Sequence, residues 1–127
     1  MKKTIWLIGL CAVIYGSLFA QNTVFPRLNV GDLGPAGGLI FYDKGEFSNG
    51  WRYLEAAPAG TEFKAEWGGY DKYITGIKDG VGFGKQNTQR IVEGLKSSGE
   101  SERAAQVCAS LSFGGYTDWF LPSKEEL

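Results

Sequence analysis

The chain is expected to fold as an α+β domain, and three observations predict it. Residues 39–42 (Leu-Ile-Phe-Tyr) and 51–56 (Trp-Arg-Tyr-Leu-Glu-Ala) are apolar, β-favouring runs separated by polar residues, the pattern of a hairpin. Two later stretches repeat apolar residues at helical spacing. Nineteen glycines, with pairs at Gly37-Gly38, Gly68-Gly69 and Gly114-Gly115, leave irregular connections between these elements. Trp51, Trp67 and Trp119 supply apolar bulk for an aromatic core.

Residues 1–20 are expected to lie outside that domain as a secretory signal peptide. Lys2 and Lys3 precede the apolar run from Ile5 to Tyr15, and the segment ends at the small Ala20, which places cleavage near Gln21 although Leu18 fits the small-residue preference poorly. About fourteen apolar residues fall short of the roughly 20 a spanning helix needs, so no membrane span is expected after cleavage. Lipid attachment at Cys11 is the rival to simple cleavage; bulky Leu10 and the short apolar stretch before it argue against it. The expected destination is outside the cytoplasm: periplasm, outer surface or extracellular space. Without the leader about 107 of the 127 residues remain, enough for one domain. Lys2 and Lys3 are two of thirteen basic residues, so eleven remain against fourteen acidic ones, a net of −3. That balance argues against nucleic acid as a partner.

Residues 21–37 form a lead-in broken by Pro26, Gly31, Gly34, Pro35 and Gly37-Gly38. The hairpin follows, with 43–50 as its longish polar loop; Trp51, Tyr53 and Glu55 alternate with Arg52, Leu54 and Ala56, so both faces are expected to be covered. From 58 to 84 the pattern is irregular, and Trp67, Tyr70 and Phe83 are the expected anchors. Asn87 or Thr88 is expected to cap a first helix through Ile91, Val92 and Leu95, ended by Ser97-Ser98-Gly99. A second is expected from about Ser101 to Ser112, with Ala104, Val107, Cys108 and Leu111 on one face and Gly114-Gly115 closing it. Residues 116–121 suggest a buried strand, and Ser123 with Glu126 has capping-box spacing for a further helix. A helix announced at the chain's end suggests that the sequence continues beyond Leu127.

No residue set names a reaction. Gly80-Val81-Gly82-Phe83-Gly84-Lys85 has the composition of a phosphate loop, but Asp79 stands where a Walker loop needs its first glycine and Gln86 where it needs Ser or Thr. A glycine turn feeding a helix explains it better. The absence of histidine removes Ser-His-Asp and Cys-His chemistry and the commonest zinc ligand. Glu125-Glu126 and the pair Glu100 and Glu102 sit in helix-start contexts, where solvated faces explain them better than acid–base work. No aspartate-rich calcium loop occurs. Thus no catalytic residue, metal ligand or cofactor is assigned, and the ligand-binding residues are left open. Trp119 could be a sugar-stacking platform, but its place between Asp118 and Phe120-Leu121-Pro122 suits a core anchor better. Cys108, the one cysteine of the expected mature chain, is either a small buried apolar residue or has a partner elsewhere.

Several strings together resemble a known family. They are Gly38-Leu39-Ile40-Phe41-Tyr42, residues 50–58 (Gly-Trp-Arg-Tyr-Leu-Glu-Ala-Ala-Pro), residues 82–88 (Gly-Phe-Gly-Lys-Gln-Asn-Thr), and the stretch from Ala104-Ala105 through Cys108 to Gly115-Tyr116-Thr117-Asp118-Trp119-Phe120-Leu121-Pro122-Ser123-Lys124-Glu125-Glu126-Leu127. Residues 30–127 are similar to the bacterial DUF1566 family, also described as the C-terminal domain of a Legionella collagen-like adhesin. The Trp-x-Leu-Pro-Ser-x-x-Glu-Leu ending is the most specific part. The resemblance implies an α+β fold related to C-type-lectin-like and formylglycine-generating-enzyme domains, with residues 38–127 as its N-terminal part and the later strands missing. It implies binding rather than catalysis: an exported, non-enzymatic adhesion module for a glycan or protein. In the adhesin the domain accompanies attachment to host glycosaminoglycans; the absence of a collagen repeat and the acidic balance here argue against sulfated glycans. An envelope structural protein, or a truncated enzyme of the formylglycine-generating type, are the alternatives.

Overall fold

A computed structural model describes residues 27–127. The expected leader, its Cys11 and residues 21–26 of the lead-in lie outside the described residues. Within them the α+β architecture is present: strands β1 (Leu39–Ser48) and β2 (Trp51–Ala56) pair antiparallel, and helices α1 (Gly84–Ser97) and α2 (Ala104–Ser110) follow after an irregular stretch opened by a 3-10 turn at Ala59–Thr61. The lead-in runs beside the start of β1, where Gly31 donates to the Ile40 carbonyl at 2.8 Å and Ile40 donates to that of Asp32 at 2.9 Å.

The expected polar loop at 43–50 is instead mostly strand. β1 continues to Ser48, and the connection is the pair Asn49-Gly50, with φ of 51° and 83°. A two-residue hairpin turn of type I′ needs positive φ at both positions, which Asn-Gly tolerates best. Register shifts between Ile40 and Tyr42 and between Asp43 and Ser48 let ten residues of β1 face six of β2. Lys44 and Glu46 made this stretch resemble a loop, whereas charged side chains are tolerated on an uncovered strand edge.

α1 buries Gly84, Asn87, Thr88, Ile91 and Leu95, a stripe at helical spacing. It starts three to four residues before the expected caps, so Asn87 and Thr88 are interior residues. Asn87 clamps the preceding loop, accepting from Lys78 N–H at 3.0 Å and donating to its carbonyl at 2.8 Å. Its far end matches expectation. Gly99 at φ 74° lets Glu100 donate to the Leu95 carbonyl at 2.9 Å and Gly99 to that of Lys96 at 3.0 Å, a Schellman closure. α2 is shorter than expected: Gln106 accepts from Arg103 N–H at 3.0 Å to start it, and Gly114-Gly115 form a separate turn between the bridged Phe113 and Tyr116 instead of closing it. Its buried face is Ala104, Ala105 and Cys108, while Val107 and Leu111 are only half-buried.

The residues expected as a strand at 116–121 reach a buried end, but among the described residues they form no strand, Tyr116 and Phe120 taking part only in isolated bridges. Trp119 and Leu121 enter the helical core with Ile91, Leu95, Ala104 and Cys108; Phe120 between them enters the hairpin core with Trp51 and Leu54. Successive residues of this segment thus tie two cores together. Thr88 of α1 holds this segment by its hydroxyl. Its hydroxyl oxygen accepts from Leu121 N–H at 2.9 Å, and its O–H faces the Gly84 and Leu121 carbonyls at 2.8 and 3.0 Å.

Candidate functional site

The hairpin tip and the start of α1 stand on either side of a groove of about 510 Å³. Lys44, Ser48, Asn49 and Trp51 come from the hairpin; Val81, Gly82 and Phe83 from the loop before α1; Lys85, Gln86 and Gln89 from its first turns. The tight Asn49-Gly50 turn brings Lys44 back over β2. Its ammonium lies 4.0 Å from the Trp51 ring centroid and donates to the Ser48 carbonyl at 2.6 Å. Lys78, outside the lining, stands 5.3 Å from the ring centroid of Phe83. Lys85 pairs with Asp118 at 3.0 Å, a part-buried ion pair whose carboxylate lies outside the lining. The lining holds two lysines and four neutral hydrogen-bonding side chains, and no carboxylate.

The loop wall is held from the chain's other end. Glu126, only 3% exposed, accepts from Gly82 N–H at 2.7 Å and Gly84 N–H at 3.3 Å through Oε1, and from Ser123 N–H at 2.6 Å through Oε2. Beside it, Glu125 accepts from Gly80 N–H at 3.1 Å, and that bond lowers the Glu125 pKa below the usual carboxylate value. The Ser123 hydroxyl donates to the Gly80 carbonyl at 3.0 Å. A side chain at Gly84 would run into the Glu126 carboxylate and the Phe120 ring. The glycine turn feeding a helix, preferred over a phosphate loop, is what the structure contains. Its glycine N–H groups are directed to a protein carboxylate.

The reading of Glu126 as a solvated helix-start residue is therefore corrected. A buried acceptor was needed for amides more than forty residues away in sequence, and no local pattern announces that. Glu100 also has a fixed role: it accepts from Gly69 N–H at 3.0 Å and from Arg103 Nε at 2.9 Å, while Arg103 pairs in addition with Glu66. Glu102 is exposed. These contacts hold the irregular stretch, together with Phe63, Ala65 and Ile74 packed on the helical core. Trp67 and Tyr70, the expected anchors, are 46% and 85% exposed and lie away from the groove. Of the three expected anchors only Phe83 is partly buried.

Trp119 is 2% exposed and donates to the Phe113 carbonyl at 3.3 Å, which makes it a core anchor and removes it as a stacking platform. Cys108 is free and buried. A second hollow, of about 390 Å³, lies between Tyr73–Thr75 and the outer face of α1, where Arg90 and Glu93 give walls of both signs. Among the described residues no group of three or more acidic or cysteine side chains could hold a metal ion, and no helix is long and apolar enough to cross a membrane. No family model, curated protein or solved structure matches the chain in comparisons with known proteins.

Proposed function

We propose that the chain is an exported, non-enzymatic binding module, and that the groove between the hairpin tip and α1 takes a glycan carrying a carboxylate. The observation behind this reading is the composition of the walls: two lysines, two glutamines, an asparagine and a serine around Trp51 and Phe83, without an acidic residue, in a chain whose overall charge is negative. Amides and hydroxyls match sugar hydroxyl groups, and a lysine is a point charge for a single carboxylate. Two cations in one groove suit a terminal uronic acid better than an extended polyanion, in keeping with the acidic balance of the whole chain. The lectin-like fold implied by the DUF1566 resemblance supports binding.

Titration of the protein with glucuronic acid, followed by amide NMR, tests it. Saturable shifts at Gln86, Gln89 and Asn49, absent with glucose and weakened about tenfold in Lys44→Ala or Lys85→Ala, are expected from the loss of one charge-assisted contact. No saturable shift with any uronic acid would overturn the reading and favour an envelope structural role.

A further inference from the structure

We propose that Glu126 is the positioning residue of the groove: its carboxylate fixes the Gly80–Gly84 loop so that Phe83 and Lys85 face Trp51 across the cavity. The proposal rests on the groove being the ligand site. Three backbone N–H groups converge on this one buried side chain, two from the loop and one from its own turn. Other anchors of the loop, Val81 packed on the hairpin core, the Thr88 hydroxyl on the Gly84 carbonyl at 2.8 Å and the Asn87 clamp on Lys78 just before it, take none of the glycine N–H groups. Gly80 is held by Glu125 and Ser123, which belong to the same C-terminal turn, and the next regular hydrogen bond, Asn87 N–H to the Phe83 carbonyl at 2.8 Å, belongs to α1. Gly82 sits directly against Trp51, where a Cβ would stand 3.2 Å from the indole ring. Moving the loop therefore moves one wall against the groove's main aromatic. Glu126 itself lines no part of the cavity, so it acts through Gly82 and Gly84 alone.

The expected signature is local. In Glu126→Gln the amide nitrogen must face either Ser123 N–H or the two glycine N–H groups, donor against donor, so at least one arm of the clasp opens. Amide hydrogen exchange on the full chain should then accelerate at Gly82 and Gly84 about tenfold more than at Leu54 in β2 or Cys108 in α2, as a local rather than global opening. Glucuronic acid affinity should fall by about the same factor, since the loop must be re-ordered on binding. Glu126→Asp keeps the carboxylate but withdraws it by one methylene; it should show the same local pattern at about threefold, and it decides the matter if the glutamine variant does not fold. Exchange that rises equally at Gly82, Leu54 and Cys108, or does not rise at all, overturns the proposal, because Glu126 would then contribute to general stability only. A wild-type chain that binds no uronic acid removes the ligand reading, and the exchange contrast still decides the clasp.

Discussion

Two buried glutamates do the same chemical work in this molecule with different support. Glu55 in β2 is fully buried and accepts from Gly38 N–H at 2.7 Å and Ala36 N–H at 3.3 Å, holding the lead-in against the sheet. Glu126 accepts from the glycine loop before α1 in the same manner. Glycines allow both approaches: a side chain at Gly34 would meet the Glu55 carboxylate, as one at Gly84 would meet that of Glu126. Their scaffolds differ. Glu55 faces Ile40 in the strand ladder, so its backbone is fixed whether or not its carboxylate finds partners. Glu126 stands on one turn, closed by its own N–H to the Ser123 carbonyl at 3.1 Å, and its position depends on the bonds its side chain makes. The first arrangement supports the fold as a whole, whereas the second orders one wall.

That contrast would be broken if the two sites responded alike. Glu55→Ala leaves two buried N–H groups without acceptors beside a rigid strand, and the urea midpoint should report a loss of about 3 kcal/mol, spread over every amide that exchanges by global unfolding. A loss confined to residues 34–38 would show that the lead-in opens by itself and that Glu55 is no more global than Glu126. Gly84→Ala comes next. Its methyl group must displace the Glu126 carboxylate or the Phe120 ring, and overpacking of this kind should cost about 2 kcal/mol. The double variant Gly84→Ala with Glu126→Gln should cost clearly less than the sum of the two, because both disturb one contact. Full additivity would mean that the methyl group is accommodated against Phe120 instead.

The same contrast explains what could be read from the sequence. The hairpin strands, the spacing of Ile91 and Leu95 and the Gly99 stop are local patterns, and the structure contains them. So is the Ser123-to-Glu126 spacing, and one half of that capping box is realised in the bond from Ser123 N–H to Glu126. The other half is not, because the Ser123 hydroxyl turns to the Gly80 carbonyl. Burial of Glu126 was invisible because its partners are backbone amides of a distant loop, and glycines carry no side-chain signature of their need for an acceptor. Trp67 and Tyr70 are exposed for the converse reason. Their segment is tied down by Glu100, Arg103 and the Ala104 N–H bond to the Glu66 carbonyl, so the aromatics are not needed as anchors. The groove itself has one readable trace. Asn49-Gly50 is a primed-turn dipeptide, a pattern that implies a longer β1 and a Lys44 close to Trp51.

The smallest expected effect belongs to the hairpin's outer surface, where a carboxylate is held by a side chain rather than by buried amides. Arg52 donates to Asp43 through Nε at 2.8 Å and through Nη2 at 3.0 Å, and Gly45 N–H adds a bond at 2.8 Å. The guanidinium, with the Gly45 amide, holds the Asp43 pKa at about 2 against an ordinary 3.8, although partial burial opposes the shift. Because the folded value is depressed, the pair contributes stability at pH values above 3.8, and that contribution fades as pH falls from there towards 2. Both side chains remain partly accessible, so solvent screening keeps the contribution under about 1 kcal/mol. Asp43→Asn should therefore lower the urea midpoint slightly at pH 6, and the gap to wild type should narrow to a small remainder by pH 2. A gap as wide as that of Glu55→Ala would place Asp43 among the buried clasps. A gap that persists unchanged at pH 2 would assign the effect to the Gly45 turn, which an asparagine side chain serves differently whatever the charge.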